Sequence, residues 1–419
     1  MKKNVSLIIL FALLSYFNTN AQWNCPSKLG SVIQPISPMI PGLKIGAEIT
    51  GSTGYLADNY YGFYAAYLGI DYTKGVHNIY LEGGAKGFSR WDNNNSQNFN
   101  NRFGGFREAF YQLSLPNTLL RAGVQTTTLG DDYLVNERML GLKFEHRFKQ
   151  LELQAASGTV MKYFARNGLF CNVGYVYDIL YRDRGFIGSK LGETNFAGAT
   201  LAIKTSKDSK LKAKFGLSIY DEFYINRSDT SFNKNVLLVG AFGSMNVFGV
   251  DLNANCQYQT LEKEKAYILS LSAKKMINWD FGHRTELYAR AIGVLEMDKA
   301  AIIRNSFSNL FLGDVVRLDA RDAPLYQASI RHSLPKYSLH FKAQYTSEFE
   351  SNGLNEFDFS ISKRFNNVYL SGIFGYLNYN ENTLTSNDVS YRWDNVRKQS
   401  YLARLECRIT IAPPKIKKK

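Results

Sequence analysis

Charged side chains of both signs recur at every second position in several segments of the sequence. Arg404, Glu406 and Arg408 alternate with apolar residues, and residues 143–147 repeat this arrangement. Rows of arginine and carboxylate that face each other across a wet passage hold a transverse field and orient polar solutes. The alternative is that these charges neutralise one another in a filled interior. The predicted lumen-lining residues are Glu82, Lys86, Arg90, Glu108, Arg121, Lys143, Glu145, Arg147, Arg284, Glu286, Arg290, Arg331, Lys342, Glu356, Asp358, Arg404, Glu406 and Arg408.

The histidines give little support for catalysis. Nucleophilic catalysis needs a histidine within reach of a serine and oriented by a third group. His340 lies on a polar face with Ser338 as its strand neighbour, and no GxSxG, HExxH or P-loop motif is present. Four others share the apolar parity close to predicted short turns: His77, His146, His283 and His332. We therefore predict no enzyme, no catalytic residue and no cofactor.

The four cysteines are also poor candidates for a site. They stand at positions 25, 171, 256 and 407, far apart and without a CxxC pair. This spacing predicts neither a zinc site nor a dense disulfide framework, and it leaves a bridge between Cys25 and Cys171 open.

In the segments that contain these charged residues, apolar and polar residues alternate with a period of two, which is typical of β-strands. In residues 337–345 the odd positions are apolar and the even ones polar, and residues 211–219, 250–259 and 401–411 show the same division. The last run has about 11 residues, the length that a tilted strand needs to cross a bilayer. No segment after the first 21 residues approaches the roughly 18 apolar residues of a membrane helix. We predict an all-β fold, a transmembrane antiparallel up-and-down barrel, with a soluble β-sandwich as the alternative.

The connections between strands alternate between short and long. Tight turns are predicted near positions 74, 116, 149, 207, 248, 280, 334 and 366, and longer polar stretches lie between them. Short turns on one rim and long loops on the other are typical of bacterial outer-membrane barrels, with the short rim periplasmic. Counting strands between the connections gives about 18, or 16 if weak segments near Ile45 and Asn101 do not form strands.

The ends of the chain differ from the body. Residues 1–21 combine Lys2 and Lys3, an apolar run and a small-residue site ending at Ala21, the pattern of a secretory signal. Residues 22–43 hold four of the nine prolines and are predicted to form a periplasmic lead-in. The barrel is predicted over residues 44–411, and residues 412–419 are predicted to be a basic periplasmic tail.

The composition agrees with strands and argues against nucleic-acid binding. The chain has 27 Tyr and 28 Phe, which favour strands. Its formal charge is +14, but six of its lysines belong to the predicted leader and tail. No basic face with interleaved aromatic residues is evident, so nucleic acid is not a predicted partner.

One stretch resembles a known class of barrels. Residues 120–125, Leu129-Gly130-Asp131-Asp132 and residues 141–146 resemble the strand, loop and strand of porin-like barrels of the alginate-export type. They also resemble Bacteroidota outer-membrane barrels, as does the leader ending in Ala21-Gln22. The resemblance covers about 30 residues closely and implies a barrel with a passive solute path.

The stretch from Val160 to Gly192 is long for a connection and mixes charged with aromatic residues. It is predicted either to constrict the pore or to form an external cap. The predicted constriction residues are Arg166, Asp178, Arg182, Asp183 and Arg184.

The predicted barrel is compatible with two functions. The first is an outer-membrane channel of a Gram-negative bacterium for passive diffusion of small polar or anionic solutes, with membrane lipid and lipopolysaccharide around it. The second is a structural or accessory subunit of a secretion, assembly or uptake complex, with a plugged lumen and other outer-membrane proteins as partners. Residues 298–322 are the candidate partner surface in the second case.

Overall fold

The computed structural model describes residues 34–35, 40–56, 59–92, 99–130, 135–160, 194–206, 209, 211–224, 236–261, 264–296, 325–348, 355–378 and 399–411. The predicted signal, most of the predicted lead-in, the basic tail and, apart from Val160, both long stretches named above lie outside these residues.

Nineteen antiparallel strands run through the described residues, most of them 10 to 16 residues long. The strands are β1 Gln34–Pro35, β2 Leu43–Leu56, β3 Asn59–Lys74, β4 His77–Asp92, β5 Phe99–Ser114, β6 Thr118–Leu129, β7 Val135–Phe148, β8 Leu151–Val160, β9 Thr194–Lys204, β10 Lys212–Tyr224, β11 Val236–Val247, β12 Val250–Leu261, β13 Glu264–Asn278, β14 Arg284–Glu296, β15 Leu325–Leu334, β16 Leu339–Glu348, β17 Asn355–Phe365, β18 Val368–Asn378 and β19 Gln399–Ile411.

Strands β2 to β19 close into one barrel of 18 strands. Each pairs with its sequence neighbours, and β19 pairs with β2, for example Ile409 with Ile49. The short β1 pairs with the beginning of β2. The predicted fold class and the count of 18 are confirmed. The segments near Ile45 and Asn101 lie within β2 and β5, so the alternative of 16 strands is wrong.

Eight short connections lie on the same rim as both ends of the barrel. Several turn residues adopt a positive φ, among them Lys149, Phe248 and Asn366, and Gly75, Gly249 and Gly282 do so without a side-chain penalty. A three-residue 3-10 turn, Pro335–Tyr337, joins β15 to β16. The predicted positions of the tight turns agree with these connections.

The two faces of the sheet differ as the alternation predicts. On one parity large apolar side chains are exposed, with Leu217 at 65% and Leu405 at 67%. On the other parity polar side chains are buried, including Ser218, whose hydroxyl hydrogen-bonds the Gln257 amide from two strands away at 3.0–3.1 Å. Gln257 reaches it over Gly240 of the intervening β11, where a Cβ would clash with the amide. The buried face is therefore the inner one.

No helix among the described residues is long and apolar enough to span a membrane. A closed barrel satisfies all its backbone groups between strands, so it can place an apolar outer face against lipid.

The inner face is less uniformly polar than the sequence pattern predicts. Met139, Phe196, Tyr220 and Leu238 are on this face, and each is at most 1% exposed. Phe196, Tyr220 and Leu238 lie on the adjacent strands β9, β10 and β11, and Met139 lies on β7, all towards the rim with the longer connections. The rings of Phe196 and Tyr220 stack with centroids 5.7 Å apart. These side chains form a small apolar core inside the barrel. Removing apolar surface from water lowers the free energy, so their burial stabilises the fold.

Candidate functional site: the inner face of the barrel

All the residues predicted to line the lumen lie in barrel strands. The side chains of Lys86 and Arg90 lie outside the described part of the structure, as do all the predicted constriction residues. The register places the others opposite the exposed apolar parity. Their assignment as the lining of a solute path remains a prediction.

A basic cluster lies on the inner face near the short-turn rim of β7 to β10. The buried carboxylate of Glu152 is approached by three cations: Lys204 in direct contact, Lys214 Nζ at 3.6 Å and Arg147 Nη2 at 3.6 Å. Gln154 also donates a hydrogen bond to Glu152 Oε1 at 3.3 Å. One carboxylate cannot neutralise three cations, so this cluster carries a positive excess.

A second basic group lies further round the same rim. Glu286, Arg331 and Lys342 are direct cross-strand partners on β14, β15 and β16, and thus form one lateral row of the inner face. Lys342 donates to Gln344 Oε1 at 2.7 Å. Two cations again accompany one carboxylate.

Buried ion pairs occupy the inner face around the seam between the first and last barrel strands. Arg107 Nε contacts Glu82 Oε1 directly, and its Nη1 lies 3.5 Å from Glu48 Oε1. Arg408 Nε lies 3.8 Å from Glu48 Oε2, and its Nη2 lies 2.8 Å from Glu406 Oε1. We call these five residues the seam cluster. Arg107, Glu48 and Glu82 are at most 3% exposed, so their charges are stabilised by one another and not by water.

A β-bulge explains how Arg107 reaches this cluster. The register of β4 with β5 shifts between Glu82 and Gly83, so Glu82 pairs with Glu108 and Gly83 with Phe106. Arg107 is the extra residue of the bulge, and a bulge redirects a side chain in this way. Its guanidinium also stacks on the ring of Tyr67, 3.9 Å from the centroid.

Two further predicted residues contact the wall. Glu108 Oε1 accepts hydrogen bonds from the hydroxyl and the backbone N–H of Thr126, at 2.8 and 3.4 Å. Arg121 donates to Gln112 Oε1 at 2.6 and 2.9 Å and lies over the ring of Phe110, 4.2 Å from its centroid. Both side chains are thereby fixed in place.

The sequence interpretation missed several inner charges. Glu48, Glu152, Lys204 and Lys214 all stand on the polar parity of their strands, so the alternation could have identified them. Arg107 could not be identified in this way, because the bulge breaks the alternation at its position.

The histidines pair with nearby hydroxyl groups. His340 Nδ1 lies 2.9 Å from Ser333 Oγ on β15, and His146 and His332 each contact a threonine hydroxyl at 2.8 and 2.9 Å. In the described part of the chain, no group of three His, Cys, Asp or Glu residues could hold a metal ion. Cys256 and Cys407 are free thiols.

Comparisons with known proteins support the fold. No protein-family model and no curated protein matches the sequence. Three solved structures from Pseudomonas aeruginosa are similar. OccD3 (OpdP) has 11% identity and a TM-score of 0.54, covering 91% of this chain and 96% of its own. OpdQ has 12% identity and a TM-score of 0.51, covering 89% and 98%. OccK2 (OpdF) in complex with glucuronate has 10% identity and a TM-score of 0.51, covering 88% and 98%.

These likenesses show the barrel fold. The closed barrel of 18 strands and its apolar outer face are those of a β-barrel of the Gram-negative outer membrane. The finer resemblance to alginate-export barrels stays a prediction.

Proposed function

We propose that this barrel is a porin-like channel for passive diffusion of small polar or anionic solutes across the outer membrane. The observation that carries the proposal is the basic cluster around Glu152. There the positive charges of Arg147, Lys204 and Lys214 outnumber the single negative charge of the carboxylate. The row of Glu286, Arg331 and Lys342 adds a second excess of positive charge on the same rim. Fixed positive charge on the wall of a narrow passage raises the local concentration of anions.

The similar OccK2 structure contains glucuronate, a small anionic sugar acid. This agrees with an anionic solute but does not identify one for this chain. The proposal includes the predicted role of residues 160–192 as the constriction of the passage.

The experiment is a bilayer recording of the refolded mature chain across a salt gradient. We expect stable conductance steps with a reversal potential that indicates a preference for anions. Lys204→Glu and Lys214→Glu should each move the reversal potential towards cation preference, because each changes the fixed charge by two units. Lys336→Glu, which makes the same change at an exposed rim turn, is the matched control. Steps that show no ion preference in the wild type, or an equal shift in the control, would contradict the proposal.

A second candidate is favoured by the apolar core inside the barrel. Phe196, Tyr220 and Leu238 are almost completely buried on the inner face, which suits a filled interior. The chain would then be a structural or accessory subunit with a plugged lumen. In that case a correctly folded barrel, verified by circular dichroism and heat-modifiable mobility, is silent in the bilayer. Removal of residues 298–322 should then abolish its capture of a partner.

A further inference from the structure

The outer wall carries a groove between strands β11 and β17. Its floor is a lateral row of three alanines, Ala273 on β13, Ala289 on β14 and Ala328 on β15, which are direct cross-strand partners. Leu252 and Tyr345 continue the row on either side and form its walls. Two cavities of about 510 and 640 Å³ meet over these alanines. This is the size range of sites that hold small molecules, and the lining is mostly apolar, as in such sites.

One end of the groove is basic. Lys275 lies two residues from Ala273 on the same strand and lines the smaller cavity together with Val250 and Leu287. Its Nζ donates one hydrogen bond to the backbone oxygen of Phe248 at 2.8 Å. An ammonium has three N–H donors, so two are left for a ligand. A lysine on the lipid-facing wall is costly at the bilayer midplane and acceptable near the interface.

Aromatic side chains indicate that this end lies at the membrane–water interface. Trp279 Nε1 donates to the hydroxyl of Thr285 at 2.8 Å, and that hydroxyl lies 2.9 Å from His332 Nδ1. The ring of His283 meets His332 edge-on, with centroids 5.6 Å apart. Amphipathic rings of this kind collect at the level of the lipid headgroups. Lys275 is therefore at the depth of the lipid phosphates, and these belong to the inner leaflet because the short-turn rim is the one predicted to be periplasmic.

We propose that this groove binds one glycerophospholipid of the inner leaflet. The phosphate diester pairs with the Lys275 ammonium, and an acyl chain lies over Ala273, Ala289 and Ala328 between the bulky walls. The basic end and the apolar groove complement the two parts of such a lipid in charge and polarity. A second copy of the chain would instead have to present a carboxylate at the depth of Lys275.

The test is a native mass-spectrometric titration of the delipidated full-length barrel in detergent micelles with palmitoyl-oleoyl phosphatidylglycerol. We expect a first lipid to bind more tightly than later ones. Ala289→Phe, which fills the groove, should remove this tight site. Lys275→Gln should weaken it roughly tenfold, the effect of losing one charge-assisted hydrogen bond. Ala328→Leu serves as a second groove-filling variant if Ala289→Phe does not fold.

The matched controls place the same changes elsewhere. Ala66→Phe adds the same ring at an exposed outer position of β3, and Lys336→Gln removes a lysine charge from another rim turn. Both should keep the tight site. Equal lipid binding by Ala289→Phe and Ala66→Phe would overturn the proposal. So would a wild-type dimer or trimer, free of lipid, that Ala289→Phe dissociates, since the occupant would then be a second copy.

Discussion

The guanidinium of Arg107 on β5 lies 3.5 Å from the carboxylate of Glu48 on β2, three strands away. Glu48 in turn lies 3.8 Å from Arg408 on β19, which pairs with β2 to close the barrel. One carboxylate therefore links two arginines on opposite sides of the closing seam. The bulge at Arg107 makes this link, since it directs into the barrel a side chain that regular alternation would not place there.

Replacing Arg107 with methionine should destabilise the barrel strongly. Glu82 and Glu48 would keep their buried charges but lose the cation between them, which costs about 3–5 kcal/mol when one partner of a buried pair is removed. The measurement is urea unfolding of the barrel in lipid vesicles. The control, Arg364→Met, removes an exposed arginine from the rim of β17 and should change the free energy of unfolding by less than about 1 kcal/mol. Equal effects of the two changes would show that the seam cluster does not stabilise the barrel.

Replacing Leu217 with arginine tests the orientation of the outer face. Leu217 is 65% exposed in the middle of β10, so a charge there would lie in the hydrocarbon and cost about 2–4 kcal/mol. Leu211→Arg, just before the same strand at the short-turn rim, should cost only about 0–1 kcal/mol. Unfolding in vesicles measures both. If the two substitutions lowered the free energy of unfolding equally, the outer face of β10 would not be embedded in a membrane.

The period-two pattern was sufficient to predict the fold. Leu217 and Ser218 stand on opposite parities in the sequence and on opposite faces in the structure, and the same rule holds through Leu405 and Arg404. A slip of register by one residue would exchange the two faces, so the pattern predicts each strand and excludes such slips in its pairing. The turns were predictable for a related reason, because they interrupt the alternation with residues such as Gly249 that tolerate positive φ.

The inner contacts were less predictable. Alternation places a residue on a face but does not say which strands come close across the inside, so the joining of Arg107, Glu48 and Arg408 could not be derived. Apolar residues on the inner parity also interrupt the alternation, so the pattern gives no indication of their role. Phe196 and Leu238 are such residues, and their packing depends on neighbours that are remote in sequence.

Replacing Phe196 with alanine should reveal the apolar core inside the barrel. The side chain is fully buried and stacks on Tyr220, so its loss creates a cavity and costs about 3–5 kcal/mol. Phe215→Ala removes the same ring from the outer face, where Phe215 is 55% exposed, and should cost less. The comparison is made by urea unfolding under identical lipid conditions. If the outer change were the more harmful, the inner residues would not form a core.

Neutralising Glu152 should shift the reversal potential in the direction opposite to the shift expected for Lys204→Glu and Lys214→Glu. Glu152→Gln keeps the shape of the side chain and leaves Arg147, Lys204 and Lys214 without their shared carboxylate. The fixed positive charge at this rim then rises by one unit, so the reversal potential in a salt gradient should move further towards anion preference. Asp280→Asn, at an exposed turn on the same rim, makes the same change of charge away from the inner face and should leave the potential unchanged. No shift on loss of Glu152 would mean that the basic cluster does not face the solute path. A shift towards cation preference would contradict the proposal that fixed positive charge at this cluster sets the anion preference.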